Sequence, residues 1–537
     1  MRAGVASAAA LSLVGAALMP AGTAAADTMP PKYLPATVSA DPLPTAQVNG
    51  VVWSMATVGN TVYATGSFTK ARPAGVAAGG AGEVARGNIM AFDLTTGKLS
   101  TSFVHSLDGQ GLRIIASPDG KRVYVGGDFT TVDGKAHNHL AAFDTATGAL
   151  IDSFAPNVHN RVRAIAATDS TVYVGGNFFN VNGKSRTRLA AVKASDGSNV
   201  DTWKPVANDD EVYALAVAGD RVIVGGRFQQ LNGEKHVGIG AVSATNGGTL
   251  PWSSKPIPTK VDADHFSYVT DLRVDDGVVY ASADGEGWYW FDGRFAAKAD
   301  TGDLVWLDNC YGATYGIYPA GGAVYSVSHA HDCSSLNAFP ETTPKTWHRA
   351  LAETKAAMGT DKSDHPGADS NYHGQPVPEL LTWFPTLAVG SFTQQFQAAW
   401  SVTGNGGYVV MGGEFPKVNG KAQQGLVRFA VKADAPNKVG PEASALKAPT
   451  VTKTSTGLKL AWKGTWDMDN AWLHYEVLRD NSTTALTTIK QWSAFWNEPS
   501  MSFTDTKMAR GKHTYRLRVH DPLGNTITGP ASAAVTW

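Results

Sequence analysis

The sequence has little charge and almost no cysteine. Two cysteines, Cys310 and Cys333, occur in 537 residues. That excludes a disulfide-stapled miniature scaffold and a thiolate metal cluster. Charged residues make up 17%, and 45 Lys+Arg against 46 Asp+Glu leave a net charge of −1. No basic field is available to attract nucleic acid or an anionic membrane surface. Beyond the first 26 residues no apolar run is long enough to cross a bilayer as a helix. Familiar catalytic signatures are missing too: no Gly-x-Ser-x-Gly elbow, no His-Glu-x-x-His, no phosphate loop and no complete calcium loop.

Glycine, by contrast, is abundant at 57 residues, as expected of an all-β chain with many tight turns. The first 26 residues read as an export signal: Arg2, an apolar stretch from Val5 to Met19, and a small-residue cleavage site at Ala24-Ala25-Ala26. Export makes pairing of Cys310 with Cys333 the expected state. The expected location is secreted and extracellular, with no membrane contact after signal removal.

An internal repeat organises residues 27–432. The clearest copies are Val123-Tyr124-Val125-Gly126-Gly127-Asp128-Phe129, Val172 to Phe178 and Val222 to Phe228. Val62 to Phe68 and Val409 to Phe415 are close copies, and Val279 to Gly285 and Val324 to Ala330 are degenerate ones. Clear neighbours lie about 50 residues apart, the length of a four-stranded propeller blade. Asp133-Gly134, Asn182-Gly183, Asn232-Gly233 and Asn419-Gly420 supply hairpin turns. Seven copies predict an all-β, seven-bladed β-propeller. The last copy lacks a fourth strand, so a strand near residues 43–48 is expected to close the last blade and remove an exposed edge. Residues near 334–395 read as an irregular insertion, with a helix opening at Thr343-Pro344 and presenting Trp347, Leu351 and Met358 on one side.

Residues 433–447 read as a linker. Residues 448–537 hold short alternating runs such as Leu458 to Trp462, Tyr475 to Arg479 and His513 to Val519, which predict a small β-sandwich. Trp462 is placed in its core and Tyr515 at a tyrosine corner. Trp466, Trp472, Trp492 and Trp496 exceed what one small core needs.

The Val-Tyr-Val-Gly-Gly-x-Phe, x-Asn-Gly, Leu-Ala-Ala-Phe-Asp and Thr-Gly-x-Leu phrases resemble the delta-sixty-repeat propellers of secreted bacterial proteins, actinobacterial ones especially. The resemblance spans roughly residues 40–432 and implies fold, with no catalytic residue carried over. The C-terminal domain resembles a fibronectin type III module.

The candidate site follows from where the repeat breaks. The residue after the glycine pair is polar in every copy: Ser67, Asp128, Asn177, Arg227, Asp284, His329 and Glu414. Blades five and six lose the packing Phe, and rule-breaking of that kind tends to mark functional sites. His331 and Asp332 follow His329; His373 lies in the insertion; Trp288 and Trp290 alternate in blade five. Asp284, Trp288, Trp290, His329, His331, Asp332, His373, Arg227 and Glu414 are therefore the expected ligand-binding residues. His-x-His alone is weak evidence for a metal, so neither metal nor cofactor is expected. The leading expectation is a monomeric, secreted recognition protein whose extracellular ligand is a polysaccharide or cell-envelope component. The alternatives are a carbohydrate-active hydrolase or lyase using the same face, and a structural surface protein.

Overall fold

The computed structural model describes residues 34–253, 266–286, 291–363 and 372–537. The expected leader and the Trp288/Trp290 pair lie outside the described residues. Almost everything described is strand or turn.

Among the described residues, seven antiparallel sheets of three or four strands follow one another between Val51 and Ala430. Their first strands are Val51–Val58, Gly111–Ala116, Val162–Ala167, Val212–Ala218, Phe266–Asp275, Thr314–Ala320 and Ala399–Gly404. Each first strand contacts the first strand of the next sheet, and the seventh contacts the first. The result is a closed ring of blades whose first strands line the axis. The Asx-Gly turns have the positive φ values that type I′ hairpins need, for example Asn182 at 51° and Gly183 at 76°.

The seam is closed by both ends of the propeller. Leu43 forms an antiparallel bridge with Arg428, in the third strand of blade seven. The Ser39 N–H donates to the Ala430 carbonyl at 2.8 Å. Gln47–Val48 turns away and pairs with Lys70–Arg72 in blade one. The buried Arg428 guanidinium bolts the seam by donating to the carbonyls of Pro44, Leu94 and Thr95.

The glycine pair is explained by packing between blades. A Cβ on Gly175 would meet Val212 Cγ1 of the next blade at 2.5 Å, and one on Gly225 would meet Val269 Cγ1 at 2.6 Å. Between blades one and two the fit is reversed. Thr65 replaces the glycine, and Gly111 replaces the valine that would strike it.

The helix expected from Thr343-Pro344 does not form. His348–Thr354 is instead the third strand of blade six, paired with Ala323–Ala330. The second strand of that blade needs an edge partner, and this demand outweighs a local helical pattern. Leu351 is buried, whereas Trp347 and Met358 are exposed. Cys310 and Cys333 are bonded, with Cα atoms 4.1 Å apart.

The C-terminal domain packs a three-stranded sheet (Thr450–Lys453, Leu458–Lys463, Ser500–Asp505) on a four-stranded one (Trp472–Arg479, Thr487–Trp492, Tyr515–His520, Thr526–Thr528). Trp462, Tyr475 and Tyr515 lie in its core. The Tyr515 hydroxyl donates to the Asp505 carboxylate at 2.9 Å, which Arg479 also pairs. Trp466, Phe495 and Trp496 leave this domain to pack on Phe339 and Phe384 of the blade-six region.

Candidate functional site: an aromatic cup on the propeller axis

Every first strand carries a β-bulge at the same height. Register shifts fall between Val52/Ser54, Gly111/Arg113, Val162/Ala164, Val212/Ala214, Val269/Asp271, Thr314/Gly316 and Ala399/Ser401. A bulge leaves one extra residue unpaired and re-aims its side chain. The seven extra residues are Trp53, Leu112, Arg163, Tyr213, Thr270, Tyr315 and Trp400. All seven line a single cavity of about 360 Å³. The backbone device is periodic while the side chains it presents are not.

Five aromatic rings stand in the wall: Trp53, Tyr213, Tyr268, Tyr315 and Trp400. Trp53 and Trp400 meet edge to face at 5.0 Å, Tyr315 lies 4.4 Å from Trp400, and Tyr213 lies 5.4 Å from Tyr268. Polar groups hold the rings in place. The Trp400 indole N–H donates to Glu414 at 3.1 Å, and that of Trp53 to Gln110 at 2.9 Å. Arg163 lies over Tyr213 and pairs with Glu211 at 3.0 Å. Burial raises the Glu211 carboxyl above its ordinary range, against the pull of Arg163.

The residue after each bulge is small in five blades: Ser54, Ala164, Ala214, Gly316 and Ser401. In blades two and five it is Arg113 and Asp271. Their side chains meet at 2.7 Å, linking blades that are not neighbours in the ring. Arg273 approaches the same carboxylate at 3.5 Å. Burial alone would raise the Asp271 carboxyl, but Arg113 and Arg273 outweigh it and hold it below its usual range. This ion pair spans the axis and forms the floor of the cup.

Of the nine residues expected from sequence, Trp288 and Trp290 lie outside the described residues and the other seven separate into three groups. Asp284 lines the cup and accepts a hydrogen bond from the Tyr268 hydroxyl at 2.7 Å. Arg227, His329 and Glu414 stand behind the wall. Arg227 lies over the Tyr268 ring and pairs with Asp210. Glu414 is buried and accepts from Thr393 and Trp400. His329 meets Gln397 at 2.7 Å and the Tyr315 hydroxyl at 3.4 Å, and burial depresses its imidazole to about 4. His331, Asp332 and His373 are not among the described lining residues. His331 pairs with Glu341 at 2.8 Å, and Asp332 caps the turn at Ser334. His373 is exposed. Sequence neighbourhood thus grouped residues that the blade-six turn points in different directions.

Burial first, then the Asp284 and Asp292 charges, raise the Tyr315 hydroxyl, so it stays protonated and is a hydrogen-bond donor. Asp292 is itself raised, by burial and then by Asp284. Asp284 and Glu414 thus flank the wall near Tyr315 and Trp400, while Arg163 marks the blade-three side.

The bulge ring was missed from sequence because a bulge shifts the alternation by one residue. Its trace is a column of large or polar residues inside strands that otherwise read as small and apolar, as at Arg163 before Ala164-Ile165-Ala166.

No family model matches this chain, and no curated protein matches it. Among solved structures, the computationally designed Ika8 protein matches with TM-score 0.40 and 12% identity over 73% of this chain and 99% of that one. A chain of the Mitotic Checkpoint Complex matches with TM-score 0.42 and 11% identity over 74% and 97%. The WD40 beta propeller domain of Doa1 matches with TM-score 0.36 and 12% identity over 74% and 99%. At these values the likeness adds nothing to what the chain's own sheets establish.

Proposed function

We propose that this chain is a secreted recognition protein that binds a polysaccharide or another polyhydroxylated cell-envelope component in the axial cup. The ring of bulged side chains carries the reading. Trp53, Tyr213, Tyr268, Tyr315 and Trp400 offer flat faces for stacking on sugar rings, and Asp284, Gln110 and Arg163 offer hydrogen bonds at the same mouth. Export is supported by the N-terminal leader, by the resemblance of the repeat to secreted bacterial propellers, and by a disulfide suited to an oxidising compartment. The sandwich, fibronectin type III-like in its strand pattern, serves as a docked spacer. A monomer suffices for this role. The hydrolase alternative requires two carboxylates facing the bond to be cleaved. Of the described lining residues, the carboxylates are Asp284 and Asp271, and Asp271 is committed to the floor ion pair. That favours binding over cleavage.

The test is a glycan-array screen of the mature protein beside Trp400→Ala, with product analysis on each hit. Binding of a glycan class that weakens by about tenfold or more in Trp400→Ala, as loss of a stacking ring predicts, supports the cup. Equal binding by both proteins would place the ligand elsewhere. Released fragments that disappear in Asp284→Asn would convert the reading to an enzyme.

A further inference from the structure

The junction between propeller and sandwich buries a set of oxygen ligands that the cup does not use. The loop joining Leu458–Lys463 to Trp472–Arg479 contains Asp467-Met468-Asp469-Asn470. Asp467, Asp469 and Asn470 have exposures of 0%, 1% and 0%. Asp469 Oδ2 accepts from the Ser39 hydroxyl at 2.9 Å and from the Ala40 N–H at 2.6 Å. Its Oδ1 accepts from the Asn470 amide at 2.7 Å, and Asp467 Oδ1 accepts from the Asp469 N–H at 3.1 Å. These partners are all uncharged. The neighbouring charges that act on the pair are negative: Asp41 on Asp469, and Asp521 on Asp467.

Two further oxygens are shut off from solvent with no hydrogen-bond partner, Asp467 Oδ2 and Asn470 Oδ1. The Asn470 Nδ2 donates to Asp469 Oδ1, so the side chain that bears the second orphaned oxygen adjoins the carboxylate pair. A buried acceptor left unsatisfied costs about 1–3 kcal/mol, and more when charged. Two facing carboxylates and an amide oxygen are hard donors with a formal charge of −2, the chemistry a divalent calcium ion takes. The alternative occupant is a shared proton. Burial raises both carboxyls, with Asp469 repelling Asp467 and Asp41 repelling Asp469, which is compatible with either.

We propose that Asp467, Asp469 and Asn470 form an inter-domain calcium site that fastens the sandwich to the Ser39–Ala40 segment of the propeller. The ion would neutralise the pair and satisfy the two orphaned oxygens. Because Asp469 also holds the Ser39–Ala40 backbone, which runs beside blade seven, calcium binding couples docking of the sandwich to closure of the ring.

The experiment uses the full mature chain, stripped with a chelator. Terbium is titrated in with tryptophan excitation, Trp466 being the adjacent donor, and calcium is then added as competitor. Thermal unfolding is recorded with and without calcium. Saturable terbium emission displaced by calcium, with an unfolding temperature raised by a few degrees, is the expected result. Asp467→Asn is expected to weaken terbium binding by about tenfold or more, since affinity follows ligand charge. Asn470→Ala, which leaves the Ser39 and Ala40 contacts in place, provides a second variant should Asp467→Asn fold poorly. Absence of saturable emission, or an unfolding temperature indifferent to calcium but rising as pH falls, would overturn the proposal and assign the pair a proton.

Discussion

Blades three and four and blades five and six solve the same packing problem with different residues. In the first pair, Gly175 and Gly225 leave a hollow, and Val212 and Val269 of the following blades enter it. In the second pair, Ser282 and Val327 stand where those glycines stand, and the following blades answer with Thr314 and Ala399. Val327 and Ala399 share one core cluster. The missing Phe is also covered: the buried Phe291 clusters with Ala283 of blade five, and Ala330 clusters with Phe339. Size is conserved across the interface although identity is not. A broken repeat is therefore not in itself a functional signal here, because the partner surface compensates for it. What remains unexplained by packing is the bulge column, identical in backbone in all seven blades and different in side chain in most.

The sharpest exception to the regular blades is the floor of the cup, and breaking it carries the largest expected effect. Asp271→Ala should cost about 3–5 kcal/mol, because it leaves the Arg113 charge buried without its partner. The double variant Arg113→Ala with Asp271→Ala makes blades two and five resemble blades three and four, which carry Ala164 and Ala214. It should cost less than the single change. Denaturant unfolding measures both, and equal losses would mean that the ion pair does not bridge the ring.

A smaller effect is expected at the blade interface. Gly175→Val should destabilise by about 1–3 kcal/mol through overpacking. Adding Val212→Gly reproduces the reversed fit of Thr65 and Gly111 and should recover part of the loss. If the second change only adds to the first, the complementarity between blades is coincidental.

Glycine pairs, Asx-Gly turns and spacing report local backbone and blade packing, so ring and sandwich could be read from them. A bulge is a register event between two strands, and a strand read alone does not reveal it. Asp284 was found because it sits at a strand end that the repeat fixes. Trp53, Tyr213 and Trp400 were not, because the alternation rule assigns such residues to a blade interface. The strand at His348–Thr354 was missed for a similar reason: its partner, Ala323–Ala330, lies across a seventeen-residue connection that no local pattern spans.

The smallest expected effect separates the two regions by pH. His329 and His348 in blade six are both depressed to about 4 by burial, where blades three and four carry Asn177 and Arg227 at the position of His329. Their unfolded values lie near the ordinary 6.5. Between about pH 6.5 and 4 the unfolded chain binds protons that the folded propeller refuses, so these histidines weaken the fold as pH falls through that window. His513 in the sandwich behaves in the opposite way. Its hydrogen bond to Asp480 at 2.9 Å raises it, so its contribution is fully present below the unfolded value and is lost as pH rises through the folded one. Histidine ring NMR should show His329 and His348 neutral down to about pH 4, with His513 titrating above its ordinary value. His329→Gln should flatten the acid limb of the stability profile and leave the alkaline limb unchanged. An unchanged acid limb, or a His329 that titrates normally, would mean that the layer behind Tyr315 admits water and that the wall of the cup is not backed by a dry histidine.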